Sequence, residues 1–201
     1  RRTHSFRGPK DTIRSLAFND DGQRLTVGYK QGWTTIWDMG TGKPVGEVRK
    51  TRADEDEDEN RTLPHEYRSP DGRWMVSSAK SNTVVLTDTQ TSKKTTILEY
   101  PLYTPIMVAF SLKSPRIAVA DEDSVHVFNP ETGKELAALI SAYGGREWLA
   151  TTPSGYFQGS PGGRSLIRWR VGEAECPFGH FEKQWCRPDL VAKILQENPA
   201  R

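Results

Sequence analysis

Two cysteines and a histidine near the C-terminus are residues of the types that commonly serve as metal ligands. Cys176, His180 and Cys186 lie close together in the sequence. A structural zinc site needs four ligands, commonly with paired short cysteine spacings, and no fourth ligand is evident here. We therefore expect no metal, no cofactor and two free thiols. A disulfide between Cys176 and Cys186 stays open, because it requires that the fold bring the two residues close.

The sequence contexts of nucleophilic catalysis and phosphate binding are missing. Ser154 lies in Pro-Ser-Gly-Tyr, not in a Gly-x-Ser-x-Gly elbow, and neither cysteine stands in the Gln-Ala-Cys-x-Gly context of caspases. Gly42 and Lys43 lack the earlier glycine of a P-loop, and 159–163 reads as a turn with no lysine to hold phosphate. We predict no catalytic residue. The histidines show no metal-ligand spacing and are expected to be surface or structurally satisfied residues: His4, His65, His126 and His180.

Two charged features point to binding. Residues 54–59 are six consecutive carboxylates, which repel one another and predict a solvated loop. Docking of a basic partner or loose attraction of divalent cations stays open for this run. Residues 1–53 hold 11 Lys and Arg against 5 Asp and Glu, and the acidic run would partly screen that excess.

A basic strand raises the question of nucleic acid. Arg168 and Arg170 would project to one face of a strand with Trp169 on the other, because side chains alternate along a strand. Three further residues lie nearby in the sequence: Arg146, Arg164 and Tyr156. We favour a solvated arginine face with Trp169 buried on the opposite side, and we rank a nucleic-acid surface last among the functions considered.

The composition excludes several classes of protein. The chain has 201 residues and a net charge of +2, without the basic excess of a dedicated nucleic-acid binder. No apolar run approaches the roughly 20 residues that cross a bilayer, and no signal-peptide core follows the first residues. Two cysteines are too few for a disulfide scaffold. We expect one or two domains in a reducing, cytoplasmic compartment.

Short strands recur along the chain. The first unit has alternating strands at 13–18, 25–27 and 33–37, the second at 67, 74–77 and 83–86, and the third at 108–111, 116–120 and 124–128. Asp-Gly pairs at 21–22 and 71–72 supply the positive φ of tight hairpins. The matching residues Asp38, Asp88 and Asn129 lie 50 and 41 positions apart, which is typical of four-stranded propeller blades.

These units resemble WD40 repeats of the β-propeller class over residues 6–140. Trp37 and Asp38 form the terminal Trp-Asp pair, and 6–9 stands where such repeats carry Gly-His, with Pro9 replacing the histidine. The second and third units end Thr-Asp and Phe-Asn instead. The resemblance implies an all-β fold that presents loops to protein partners.

The blocks at 147–160, 167–172 and 187–191 resemble the closing segment of bacterial proteins that join WD40 repeats to a caspase-like peptidase. That resemblance implies a propeller that scaffolds or senses for an attached effector. Any peptidase activity would then lie in sequence absent from this chain.

We predict a partial propeller over 1–175, with blades at 6–50, 61–99, 105–140 and a degenerate one at 146–172. Residues 176–201 are predicted to be helical. Phe178, Phe181 and Trp185 share one helical face, and Pro188 opens a second helix whose apolar stripe includes Val191 and Leu195.

Propellers close with four to eight blades, and residues 2–6 read as the outer strand of a preceding blade. We therefore infer an incomplete ring and a fragment of a larger protein. A four-blade ring, or self-association through open edges, stays an alternative. The predicted function is a non-enzymatic protein-interaction scaffold. The alternatives are a regulatory propeller of a caspase-like peptidase protein and, last, a nucleic-acid-binding propeller.

Overall fold

The computed structural model describes residues 3–6, 12–30, 33–45, 49–50, 66–79, 83–99, 107–111, 113–120, 124–171, 174–176, 179 and 182–196. The strands, in chain order, are β1 (Thr3–Phe6), β2 (Ile13–Phe18), β3 (Arg24–Tyr29), β4 (Trp33–Asp38), β5 (Lys43–Pro44), β6 (Arg49–Lys50), β7 (Glu66–Arg68), β8 (Trp74–Ala79), β9 (Thr83–Asp88), β10 (Lys94–Glu99), β11 (Met107–Phe110), β12 (Ile117–Ala120), β13 (Val125–Asn129), β14 (Lys134–Ala142), β15 (Glu147–Thr151), β16 (Phe157–Gly159), β17 (Ile167–Val171) and β18 (Ala174–Cys176). The helices are α1 (Pro161–Ser165), α2 (Glu182–Trp185) and α3 (Pro188–Gln196).

These strands form four antiparallel sheets. The first sheet has the order β2-β3-β4, and β5 and β6 both pair with β4. The second sheet runs β10-β9-β8-β7, and the third runs β11-β12-β13-β14-β15-β16. A closing sheet of three strands has the order β1-β17-β18. The predicted fold class, all-β with blade-like sheets and short C-terminal helices, is confirmed.

The first hairpin of each repeat is built in the same way. In the first sheet, the backbone N–H of Asn19 donates to the Arg24 carbonyl at 3.0 Å, and in the second sheet Ser69 donates to Trp74 at 2.8 Å. Ser111 makes the equivalent bond in the third sheet, at 3.0 Å. The Asp-Gly signal is therefore correct, with Gly22 at a φ of 70°.

The turn after the third strand of each repeat is closed by an aspartate or asparagine. Oδ1 of Asp38 accepts the Thr41 N–H at 2.7 Å, and Oδ1 of Asp88 accepts the Gln90 N–H at 2.9 Å. Oδ1 of Asn129 accepts the Glu131 N–H at 3.0 Å. The side chains at the three positions matched in the sequence thus each accept a backbone N–H of their own turn. Asparagine can replace aspartate because only an acceptor oxygen is needed.

These turns also need a residue in the left-handed region. Gly42 and Gly133 supply it with φ of 67° and 66°, whereas the second sheet uses Ser92 at 59°. A side chain with Cβ is disfavoured in this conformation.

The third sheet lies between the other two large sheets. Val127 and Phe128 are neighbours on β13, so their side chains point to opposite faces. Val127 belongs to a hydrophobic cluster with Trp37 of the first sheet, and Phe128 belongs to a second cluster with Leu86 of the second sheet. The spatial order is therefore first, third, second.

The predicted fourth blade at 146–172 does not form a sheet of its own. A tight turn at Tyr143, Gly144 and Gly145, all with positive φ, folds β15 back onto β14, so β15 and β16 extend the third sheet. β17 pairs with β1. The strand predicted to belong to a preceding blade thus shares a sheet with a segment close to the other end of the chain.

The segment at 159–163, predicted as a turn, leads into the short helix α1. Ser160 caps this helix by accepting the Gly163 N–H at 3.1 Å. The carboxylate of Glu147 accepts the same N–H at 3.0 Å and also the hydroxyl proton of Ser160. An internal carboxylate therefore occupies the helix start.

The C-terminal helix begins at Pro188 as predicted. Its Val191 and Leu195 are fully buried, and both pack on Gly42 of the first sheet, where an added Cβ would come within 2.6 Å of Leu195. The apolar face of α3 thus belongs to the hydrophobic core of the first and third sheets. Phe178 and Phe181 lie outside the described residues. Trp185 ends the short helix α2, which spans Glu182–Trp185. No helix within the described part of the chain is long and apolar enough to span a membrane.

Arg116 joins three elements from a buried position. Its guanidinium donates to the Leu195 carbonyl in α3 at 2.7 Å and to the Gly22 carbonyl in the first sheet at 3.3 Å. The residue is 9% exposed. Burial lowers its pKa, and the nearby charge of Asp38 acts against that shift. A cation is also favourable at the C-terminal end of a helix.

Replacing Ser92 with glycine is expected to raise the free energy of unfolding by about 1 kcal/mol, because it relieves the left-handed conformation. Urea denaturation measures the change. Gln90→Gly in the same turn is the control and should lower stability, since Gln90 has no positive φ and glycine there only adds disorder to the unfolded chain. Equal effects of the two substitutions would contradict the expectation.

Replacing Arg116 with methionine is expected to lower the free energy of unfolding by about 3 kcal/mol, because two buried carbonyls lose a charged donor. Lys113→Met, at an exposed position of the same hairpin, should change stability by less than about 0.5 kcal/mol. Chemical denaturation of both variants measures this, and similar losses would show that Arg116 does not join the elements.

Candidate interaction cleft

A cleft of about 240 Å³ opens between the second and third sheets. It lies where the β7–β8 turn, the β11–β12 turn and the β13–β14 turn meet. Its apolar floor includes the half-buried Trp74 and Phe110 and the buried Ile117. The walls are polar, and we call the whole the turn cleft. Its lining residues are Ser69, Pro70, Asp71, Arg73, Trp74, Phe110, Ser111, Lys113, Ser114, Pro115, Arg116, Ile117, Pro130 and Glu131.

Arg73 is the central charge of the turn cleft. Its guanidinium carbon lies 4.6 Å from the centre of the Trp74 ring, a cation–π contact. The carboxylates of Asp88 and Glu131 lie 3.6 and 3.9 Å from it, beyond hydrogen-bond distance. Its Nε is buried and has no hydrogen-bond partner among the described residues. Arg73 is thus held in place by stacking and charge, while its two terminal nitrogens make no hydrogen bond within the described part of the chain.

Asp71 is committed to its own turn. Its Oδ1 accepts the Ser69 hydroxyl at 2.5 Å and the Arg73 backbone N–H at 3.1 Å. These two hydrogen bonds lower the pKa of the Asp71 carboxyl below its ordinary value of 3.8. Asp71 therefore shapes the wall of the cleft and has little acceptor capacity left for a ligand.

The other rim charges are freer. Lys113 is exposed on the opposite wall, and its ammonium meets no acceptor among the described residues. Glu131 has a side chain 35% exposed, and within the described part of the chain its carboxylate makes no hydrogen bond or ion pair closer than its 3.9 Å approach to Arg73. Donor groups thus outnumber uncommitted acceptors on this rim.

Of the three residues considered for zinc, Cys186 is the one whose side chain the structure describes. Cys186 is a free, half-buried thiol that pairs by a backbone bridge with Phe157. The Cys176 side chain and all of His180 lie outside the described residues. No group of three or more His, Cys, Asp or Glu side chains in the described ranges is placed to hold a metal ion.

Among the histidines, His126 is hydrogen-bonded on both ring nitrogens. Nε2 lies 3.1 Å from the Ser124 hydroxyl and Nδ1 lies 2.7 Å from the Glu135 carboxylate. Because Glu135 is on β14 and His126 on β13, this Ser-His-Glu relay ties the two strands together. It agrees with the prediction of a structurally satisfied histidine. His65 lies outside the described residues, and His4 is placed by its backbone pairing with Trp169.

Two of the four arginines considered for nucleic acid have local partners. Arg168 donates to the Ser165 carbonyl at 2.9 Å, and Arg164 pairs with Glu182 at 2.6 Å. Tyr156 packs against the Trp185 ring at 5.6 Å. The side chains of Trp169 and Arg170 and the acidic run at 54–59 lie outside the described residues.

The tryptophans of the strands differ in their roles. Trp37 is 1% exposed and meets Trp148 edge to face at 5.9 Å. The Trp37 indole nitrogen has no hydrogen-bond partner among the residues described, and Pro9, where the repeat resemblance would place a histidine, lies outside them. Trp74 is only half-buried and lines the turn cleft, so it contributes to a surface as well as to the core.

Sequence reasoning missed the turn cleft because it searched for catalytic and metal-binding residue types. A usable signal was present, since Ser-Pro-Asp-Gly-Arg-Trp at 69–74 and Ser-Leu-Lys-Ser-Pro-Arg at 111–116 occupy equivalent hairpins. Both carry cations at neighbouring turns of adjacent sheets.

The lowered pKa of Asp71 predicts a pH-dependent contribution to stability. Its hydrogen bonds stabilise the charged carboxylate, so the contribution is complete above the ordinary value of 3.8. It is lost as the pH falls through the lower value of the folded protein. The difference in free energy of unfolding between wild type and Asp71→Asn should therefore shrink on acidification from about pH 5 to pH 2. Asp20→Asn, in the equivalent turn of the first sheet, controls for loss of one charge. A difference that grows on acidification would contradict the assignment.

Comparison with known proteins identifies a repeat. Residues 1–38 match the family model described as WD domain, G-beta repeat. A solved structure described as "Structure of U3-55K" is 15% identical to this chain, with a TM-score of 0.34; the match covers 87% of this chain and 54% of that one. The chain thus spans about half the length of that structure. No curated protein sequence matches. Residues 1–38 therefore contain a WD40 repeat, whose strands are shared between the closing sheet and the first sheet.

Proposed function

We propose that this chain is a protein-interaction module and that the turn cleft is where it docks a polypeptide partner. WD40 repeats generally mediate contacts between proteins, and residues 1–38 match that family. The cleft supports the assignment because its walls are turns fixed on two packed sheets. Loops held by a rigid scaffold commonly carry binding function.

The size of the cleft favours part of a polypeptide over a cofactor. Pockets for small molecules usually enclose about 300–1,000 Å³, and the turn cleft has about 240 Å³. That volume suits a side chain and its neighbouring backbone. The cleft therefore acts as an anchor point within a larger contact surface.

The origin of the chain in a bacterial protein with a caspase-like peptidase is a further proposal. The blocks at 147–160, 167–172 and 187–191 support a bacterial parent protein with a caspase-like peptidase that the propeller regulates. The sequence of the parent reading frame tests this, because a His/Cys peptidase domain must follow. A cytoplasmic location and self-association through sheet edges are likewise proposals.

Selection from a random-peptide display library on the full chain tests the docking function. Peptides enriched on the wild type should bind at least tenfold more weakly to a variant with Lys113→Glu and Glu131→Arg, which reverses the exposed rim. Lys193→Glu, at an exposed position of α3 that does not line the cleft, should leave binding unchanged. Circular dichroism and thermal melting check that the variants are folded. A library that yields no enriched peptide, or peptides that bind the rim variant as well as the wild type, would overturn the assignment.

A further inference from the structure

We infer that the segment docked in the turn cleft carries a carboxylate beside an apolar side chain. This inference rests on the proposed docking function and names the chemistry of the partner. It follows from the hydrogen-bonding groups that the folded chain has left unused, from the apolar floor and from the signs of the surrounding charges.

The unused groups on the rim are mainly donors. The two terminal nitrogens of Arg73 carry four N–H groups, and none has an acceptor within hydrogen-bond distance among the described residues. The exposed Lys113 ammonium adds three more. Among the acceptors, Asp71 holds Ser69 and the Arg73 backbone, and Asp88 holds two backbone N–H groups of its own turn. A ligand that satisfies this rim must bring acceptor oxygens.

The placement of Arg73 favours a carboxylate in particular. Stacking on Trp74 covers one face of the guanidinium and Nε is buried, but the side chain is 37% exposed, so a ligand must bind through the two terminal nitrogens in the guanidinium plane. This planar fork matches the two oxygens of a carboxylate. The ring also fixes the orientation of the guanidinium before a ligand arrives, which reduces the entropy lost on binding.

The floor requires an apolar group next to that carboxylate. Trp74 and Phe110 are both half-buried beneath the rim, with Ile117 fully buried below. A purely charged ligand would leave this surface wet, whereas an aromatic or branched side chain would cover it and gain free energy in proportion to the apolar area buried.

The surrounding charges disfavour a nucleic acid. Three carboxylates lie around Arg73: those of Asp71 and Glu131 line the turn cleft with it, and that of Asp88, at the end of β9, lies 3.6 Å from its guanidinium. A backbone with one negative charge per nucleotide would meet these carboxylates repeatedly. A peptide brings a single carboxylate to the two cations and leaves Glu131 to accept a backbone N–H of the ligand.

Fluorescence anisotropy with defined peptides tests the inference. The probe is a labelled Gly-Ser-Asp-Phe-Gly-Ser peptide with a C-terminal amide, so that its Asp side chain is its one carboxylate. It is compared with the amides of Gly-Ser-Asn-Phe-Gly-Ser and Gly-Ser-Asp-Ala-Gly-Ser. We expect the first to bind the full chain about tenfold more tightly than either of the others, because a charged hydrogen bond or a buried aromatic ring is lost in each. Added salt should weaken the first peptide more than the Asn peptide.

Variants locate the binding. Lys113→Gln, at an exposed position, should lower the affinity for the Asp-Phe peptide several-fold, whereas Lys193→Gln should leave that affinity unchanged. Lys113→Glu should in addition tighten the binding of a Gly-Ser-Lys-Phe-Gly-Ser peptide, a gain that an unfolded variant would not show. Arg73→Gln should abolish the preference for Asp over Asn.

Each contrary outcome has a distinct meaning. Equal binding of the Asp and Asn peptides overturns the inference, and the docking function still stands if displayed peptides lose binding to the rim variant. Tighter binding of a single-stranded thymidine oligonucleotide, lost in Lys113→Gln, would overturn it in favour of nucleic acid. Failure of both the defined and the displayed peptides would overturn the docking function itself.

Discussion

The buried guanidinium of Arg116 is the contact on which the assembly of this fold depends. It binds a carbonyl of the first sheet and the last turn of α3 from a position at the start of the third sheet. A charge so deeply buried is stable only when its donors are satisfied. The first sheet, the third sheet and the helix must therefore be in register together, because displacement of any one leaves the cation unpaired. Arg116 also lines the turn cleft, so the contacts that fix this residue also hold the walls of the cleft in place.

Local features of the fold could be predicted from the sequence, and long-range ones could not. The turn residues Asp38, Asp88 and Asn129 were matched by spacing, because each bonds backbone groups only two or three residues away. The pairing of β15 with β14 was missed because Gly144 and Gly145 were not read as a hairpin. The role of Arg116 depends on residues 79 and 94 positions distant, and no periodicity reports such contacts.

The candidate site shows the same division. Its residues Arg73 and Lys113 are ordinary surface cations in the sequence, and only the packing of the second sheet on the third brings their turns together. The apolar floor was visible in part, since Trp74 stands in a predicted strand. What the sequence could not show is that Trp74 remains half-exposed and supports a charge on its face.

The spatial order of the sheets bears on how the chain is made. The third sheet supplies the apolar surface against which both the first and the second sheets bury their clusters, yet it is translated after them. During synthesis the earlier sheets would therefore expose apolar faces and unpaired edges until residue 150 or so has emerged. Non-local pairing of this kind folds slowly, and exposed strand edges invite aggregation. The nascent chain is thus the state most in need of a chaperone, and it is at this stage, rather than in the finished fold, that changes in the third sheet would have their largest effect on yield.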